Sequence, residues 1–372
     1  MSDADDARAL YEQARASVGD GRYGDAIAGF EAVAARYPQF EALVGNALYG
    51  KAWCLERIER EQVAVDVYEE ILARYRDAED DTLRRQLARA LYHYGVAVSR
   101  LDRTDDAIDA WDELVERFGE VQDPEFWRRV AGALERKAAA MRRLERLDDA
   151  LQAYDEIVVR FTNSDYRQLR QKADMALSNK AFVLLLDGRL DEAIVVANAA
   201  VGRLGASEDP GSLAIAILNL GGALVKEERL SEAMAVYDTL IDQLEENPSA
   251  EREWQLILAV SNKVEVLAML DRTDEAVELH KDLVGRFGEA VPKAFADAAA
   301  RNEHDEAAVD IVAGMLLKEA LVLAELGNAE QSLIALNNLI DRYAEEEGEE
   351  IERVVGLARD FRDQMLDGDD EP

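Results

Sequence analysis

A short phrase returns eight times along this chain, and its period constrains the fold more than any other feature. The phrase is an Arg, four residues on a small residue, four more to a mostly aromatic residue, six more to an Arg, and then a large ring or Leu. It reads Arg22/Ala26/Phe30/Arg36/Tyr37, Arg60/Ala64/Tyr68/Arg74/Tyr75, Arg103/Ala107/Trp111/Arg117/Phe118, Arg146/Ala150/Tyr154/Arg160/Phe161 and Arg189/Ala193/Ala197/Arg203/Leu204. Looser copies follow at Arg229/Ala233/Tyr237/Gln243/Leu244, Arg272/Ala276/His280/Arg286/Phe287 and Asn328/Ser332/Leu336/Arg342/Tyr343. The small residues serve as anchors and stand 38, 43, 43, 43, 40, 43 and 56 residues apart. A period of this length marks a stack of like units. Such a stack grows in one direction, so the 372 residues need not divide into separate cores.

Within a unit the apolar spacing predicts two antiparallel helices. In the third unit, 81–101 carries Leu83, Leu87, Leu91, Val98 and Leu101 at helical intervals. A polar turn, Asp102-Arg103-Thr104-Asp105, follows, with Thr104 or Asp105 suited to cap the next helix. That helix, 106–118, places Ala107, Trp111, Leu114 and Phe118 on one face. The anchor Ala lets two helices approach closely, and the ring one turn later fills the space beyond it. A cation near the end of the second helix favours its dipole, so the recurring arginines read as structural. The units are expected over 1–348, with an inserted helix at 289–309. A single amphipathic helix at 349–366 is placed to cap the last unit, and 367–372 reads as a disordered acidic tail.

Composition excludes several classes of function. The formal net charge is -35 and the isoelectric point about 4.4, a field that repels nucleic acid and anionic membranes alike. No apolar run approaches the roughly 18 residues that span a bilayer. The acidic start, Met1 to Asp6, lacks the basic and apolar regions of a secretory signal, and Cys54 is the one cysteine. These features predict a cytoplasmic chain. Only nine of the 43 basic residues are lysines. Acidic, lysine-poor composition fits a salt-adapted cytoplasm, and equally an arginine-biased genome.

Two local matches to catalytic or nucleotide motifs fail on context. The run Gly19-Asp20-Gly21-Arg22-Tyr23-Gly24 has the spacing of a dinucleotide fingerprint but lies in a turn between helices, with no strand before it. The run from Gly45 to Lys51 resembles a phosphate loop, yet Ala52 follows the lysine and a helix already uses its amides. His93, His280 and His304 fall at unrelated places, and no Cys, His or Asp spacing suggests a metal. No catalytic set, cofactor or metal is expected.

The unit resembles the tetratricopeptide repeat, which carries a small residue midway along its first helix, a turn, and then Ala and an aromatic in its second. The small residues twelve before each anchor are Ala14, Ala52, Gly95, Ala138, Ala181, Gly221 and Ala320, with Val264 in the seventh unit. The stretch Asn179-Lys180-Ala181 through Gly188-Arg189-Leu190-Asp191-Glu192-Ala193 is close to the family pattern, and the resemblance covers about 7–344. The departure is length, because the family's usual unit is about 34 residues. The resemblance implies an all-α, right-handed superhelical solenoid of about eight helix hairpins.

It also implies that first helices line a concave groove receiving a peptide or helix of a partner. Groove positions then fall about eighteen, fifteen, fourteen, eleven and seven residues before each anchor, and three ladders stand there. Tyr11, Tyr49 and Tyr92 form one, with Trp53 and Phe182 nearby; Arg57, Arg100 and Arg143 form another, joined by Lys226; Asn179, Asn219 and Asn262 form the third. Lys51, Lys137, Lys180 and Lys263 share one further position, thirteen before the anchor. They read either as groove residues or as stems packed beside the small residue, with heads paired to acids on the next unit. The tyrosines read as contact residues or as core. The expected function is a non-catalytic scaffold binding a protein or peptide partner that carries an acidic segment. The alternatives are self-association into a larger assembly and a sensor closing on a small anionic ligand.

Overall fold

The computed structural model describes residues 2–205, 210–246, 253–272, 329–343 and 349–368, and parts of 275–286 and 317–324. All regular structure among these residues is α-helical. The chain divides into two compact units, 1–206 and 207–372.

The first unit is five helix hairpins. They comprise α1 (Asp3–Gly19) with α2 (Tyr23–Arg36), α3 (Glu41–Arg57) with α4 (Glu61–Tyr75), and α5 (Asp81–Arg100) with α6 (Thr104–Phe118). Two more follow, α7 (Pro124–Arg143) with α8 (Leu147–Phe161) and α9 (Arg167–Leu186) with α10 (Leu190–Leu204). The second unit contains α11 (Pro210–Lys226), α12 (Leu230–Glu246), α13 (Glu253–Met269), α14 (Ala329–Tyr343) and α15 (Glu349–Gly368). The insertion expected at 289–309 and residues 369–372 of the expected tail lie outside the described residues. Helix α15 packs on α14 through Ile351, Val354, Val355 and Ala358, all buried.

Each helix in the first unit packs against its hairpin partner and against the next helix in sequence. Successive first helices, α1, α3, α5, α7 and α9, also touch one another, whereas successive second helices make no comparable contact. Hairpins whose first helices converge in this way curve toward them, so the first helices line the inner face of the unit. The anchors Ala26, Ala64, Ala107, Ala150 and Ala193 are fully buried, and Phe30, Tyr68, Trp111 and Tyr154 fill the space beside them. The position twelve before the anchor must be small where the ring is largest. A Cβ on Gly95 would lie 2.4 Å from Trp111 Nε1, and one on Gly221 would lie 2.4 Å from the Tyr237 ring.

The starts of the second helices differ from expectation. Neither Thr104 nor Asp105 caps α6; Arg103 occupies the cap position, with no capping side-chain bond. Its guanidinium reaches forward instead, and its Nε donates to Asp106 at 2.6 Å. The long first helices carry ordinary caps: the Asp80 carboxylate accepts from the amides of Thr82 and Leu83, and that of Asp123 accepts from the Glu125 amide just after Pro124.

Candidate partner-binding face

The recurrent cations separate into those that hold the stack together and those that do not. Four residues before the anchor, Arg22, Arg103, Arg146, Arg189, Arg229 and Arg272 each clamp the acid three residues on, at 2.6 to 3.2 Å. Ten after it, the guanidinium reaches back one repeat. Arg74 donates to the Pro38 carbonyl, Arg117 to that of Arg76, and Arg160 to that of Gly119. Both sets are structural.

The lysine column is also engaged. Lys51 pairs with Glu31 at 2.8 Å, Lys180 with Asp155 at 2.5 Å, Lys263 with Asp238 at 2.6 Å, and Lys137 with Asp112. In every case the acid lies five residues after the anchor of the preceding repeat, not the next one. Each first helix packs on the second helix of the hairpin before it, so only that neighbour's acids are within reach. The one described tyrosine in the column behaves alike, Tyr94 donating to Glu69 at 3.4 Å.

The arginine ladder seven before the anchor is partly absorbed as well. Arg100 approaches Glu56 at 3.7 Å, Arg143 donates to Ser99 Oγ at 3.0 Å, and Arg57 lies over the Trp53 ring at 4.9 Å. Asn179, Asn219 and Asn262 are half-buried on α9, α11 and α13, and Asn262 hydrogen-bonds the hydroxyl of buried Tyr237. Lys226 is exposed at the end of α11.

Tyr49 and Tyr92 lie in a cluster on α3, α5 and α7 that joins most of the remaining inner-face chemistry. The Tyr49 hydroxyl and His93 Nε2 share a 2.9 Å hydrogen bond, and the His93 ring stands edge-on to both tyrosines at 5.1 Å. Tyr68 stacks behind His93 and donates to Glu56 Oε1 at 2.7 Å. Arg89 lays its guanidinium on the Tyr49 ring, 3.2 Å from the centroid. Gly132 on α7 leaves room for Tyr92, whose ring would stand 3.0 Å from a Cβ there.

The electrostatics of this cluster are positive. Burial pushes the His93 imidazole down to about 4, and Arg89, Arg129, Arg100 and Arg136 act in the same direction. His93 is therefore neutral at pH 7. Burial lowers even Arg129 from its ordinary value, with Glu125 opposing and Arg89 adding to the shift. Burial likewise raises the Tyr49 phenol and the Glu56 carboxyl. Five guanidiniums (Arg85, Arg89, Arg100, Arg129 and Arg136) stand around this face against three carboxylates, Glu56, Asp123 and Glu125. Among the described residues, Arg89 and Arg136 have no carboxylate partner. The outer side has the opposite sign: Asp105, Asp109, Asp112, Asp149 and Glu156, with Lys137 and Arg146, line a cleft of about 290 Å³ between α6 and α8.

Sequence reasoning missed His93, Arg89, Arg129 and Arg136. Arg89 stands eighteen before its anchor and His93 and Arg136 fourteen before theirs, so three of the four occupied positions already named as groove positions. They formed no column of one residue type and so gave no ladder. Among the described residues, no group of three or more His, Cys, Asp or Glu side chains could hold a metal ion, and no helix is long and apolar enough to cross a membrane.

Residues 11–79 and 95–166 match the family model of the tetratricopeptide repeat. No curated protein matches the chain. Among solved structures, the apo form of RapI aligns with a TM-score of 0.60 at 12% identity, over 97% of this chain and 99% of that one. The apo form of the quorum sensor NprR from B. thuringiensis aligns with a TM-score of 0.55 at 15% identity, over 90% and 86%. At these identities the likeness is one of fold.

Proposed function

Starting from a chain that is a tetratricopeptide-repeat protein, we propose that it is a non-catalytic scaffold whose first helices bind an acidic segment of another protein. The observation that carries this reading is the pair Arg89 and Arg136, left without carboxylate partners in a chain with 78 Asp and Glu against 43 Lys and Arg. In such a chain a guanidinium on a concave face has many carboxylates available within the fold. Two that lack one, beside exposed edges of Tyr49 and Tyr92, fit the requirements of a recognition surface. Arginine and tyrosine give charge, area and hydrogen bonds with little entropy lost on binding. The acidic surroundings add selectivity, since they repel any anion not seated on the cationic strip.

Within this reading Arg57, Arg100 and Arg143 extend the strip along the turn end of the first helices, and Asn179 continues it on α9. Asn219 and Asn262 are assigned the same role in the second unit. Lys180 and Lys263 are assigned to holding repeats together. Affinity purification from the source cells with the wild-type chain and the Arg89→Gln/Arg136→Gln variant tests the proposal. The expected result is a specific protein captured by the wild type and lost with the variant, while helical circular dichroism is unchanged. Equal capture by both overturns it.

A further inference from the structure

The paired cations leave a surplus with a definite size. Glu56 is taken by Tyr68 and Arg100, and Glu125 by Arg129 and Arg85, the latter also bound to Asp123. The other carboxylates nearby are committed too, Glu135 to Lys172 and Glu12 to Arg15. His93 carries no charge at pH 7, and Tyr11, Tyr49, Tyr68 and Tyr92 carry none. Two positive charges, those of Arg89 and Arg136, therefore remain on this face of α3, α5 and α7. A carboxylate would neutralise only one of them.

Geometry restricts the ligand further. Arg89 lies flat on Tyr49, which leaves its edge N–H groups free to donate in one plane. The Tyr49 hydroxyl is held by His93, so it does not compete for that edge. Arg129, half-buried behind, adds a third guanidinium that Glu125 shares with Arg85. Planar donors arranged around one point suit an oxyanion with several acceptor oxygens, and arginine is the side chain that meets phosphate in bidentate fashion.

We propose that the α3–α5–α7 face contains a subsite for a doubly charged oxyanion, a phosphoryl group, received by Arg89 and Arg136 with Arg129 behind them. At pH 7 a phosphoryl group carries close to two charges and three acceptor oxygens, which matches the uncompensated pair. The inference deepens the scaffold reading and rests on the first-helix face being the binding face. A phosphorylated side chain within the partner segment, or a free phosphate ester, would supply the same group.

The full-length chain tests this with four probes: inorganic phosphate, and one acidic dodecapeptide carrying phosphoserine, serine or glutamate at its centre. Fluorescence anisotropy reads peptide affinity, and NMR of the His93 imidazole, assigned with His93→Gln, reads occupancy of the subsite. The phosphoserine peptide is expected to bind at least tenfold more tightly than either other form, and phosphate is expected to raise the His93 titration midpoint saturably. Arg89→Gln/Arg136→Gln should erase both effects, since each lost charge-assisted contact costs roughly tenfold, while Arg15→Gln on α1 should leave them intact. Equal affinity of the glutamate and phosphoserine forms overturns the phosphoryl subsite and leaves the acidic-segment reading standing. A His93 response to inorganic phosphate with no peptide binding supports the subsite and overturns the peptide reading. No response of His93 to either phosphate probe overturns the subsite, and the serine and glutamate forms then decide the scaffold reading separately.

Discussion

The residue five before each anchor adopts a left-handed conformation in all seven described turns: Gly21, Glu59, Asp102, Glu145, Gly188, Glu228 and Asp271 have φ between 56° and 74°. For an L-residue with a side chain this conformation costs about 1–2 kcal/mol, and only glycine adopts it freely. The amide of the next residue, the Arg of the phrase, then returns to a carbonyl five residues back, as from Arg146 to Met141 at 2.9 Å. That bond closes the turn and offsets the strain. Replacing Glu145 by Gly is expected to stabilise the chain by about 0.5–1 kcal/mol, and Gly188→Ala to destabilise it by a similar amount. A shift of the thermal midpoint in the opposite sense for either variant would contradict this. Glycine marks only two of the seven positions, so the turn was legible from the Arg that follows it and its backbone conformation was not. His93 supplies a second residue-scale prediction. Its folded value of about 4 lies below the ordinary 6.5, so the unfolded chain binds the proton more readily. The stability that neutral His93 contributes is present above pH 6.5 and is lost as pH falls toward 4. Thermal midpoints of wild type and His93→Gln, measured from pH 7.5 to 4, should therefore converge or cross across that window, and a constant difference would show that His93 is not held neutral.

At the scale of the helix, each junction between repeats uses the same three devices: the anchor and its ring, the arginine ten after the anchor, and the lysine thirteen before the next one. Their energies differ. The Lys180–Asp155 pair joins a side chain 20% exposed to one 52% exposed, and pairs of that kind contribute at most about 1 kcal/mol. A double-mutant cycle over Lys180→Met and Asp155→Asn is expected to return a coupling of about 0.5 kcal/mol. Arg160 reaches the Gly119 carbonyl and two carboxylates, Glu120 and Glu156, at 26% exposure. Arg160→Met should cost about 1–2 kcal/mol and outrank the lysine change in a urea titration. A coupling above that of Arg160 would invert the order. The column of lysines was visible in the sequence because four of nine shared one repeat position. Their partners were misplaced by one repeat, because the direction in which a first helix leans is set by packing that no single column reports. The sequence carries the same two positions with charges exchanged at the junction of the seventh and eighth repeats, Lys281 and Glu319, outside the described residues.

Over the whole molecule two electrostatic effects compete, and their signs under salt differ. Local ion pairs weaken as salt screens them, which lowers stability. Repulsion within the net charge of -35 also weakens, which raises it. The fold and the helix pairs were legible because apolar period and turn chemistry are local. The segregation of charge between the inner and outer faces of the first unit was not, since it depends on Arg89, Arg129 and Arg136 meeting from different helices. That segregation bears on which effect wins. The clamps at the helix starts span three residues and are exposed, so screening removes little from each. The surplus carboxylates have no cation to lose, and clusters such as Asp105, Asp109, Asp112 and Asp149 around one cleft gain directly from screening. The thermal midpoint read by circular dichroism is therefore expected to rise from 0.01 to 1 M sodium chloride, as the screening length falls from about 30 Å to about 3 Å. Sodium perchlorate at matched ionic strength should begin with the same rise, which separates screening from salting-out. A falling midpoint would mean that the inter-repeat pairs outweigh the acidic surplus, and the lysine column would then deserve a larger share of the stability than its exposure implies.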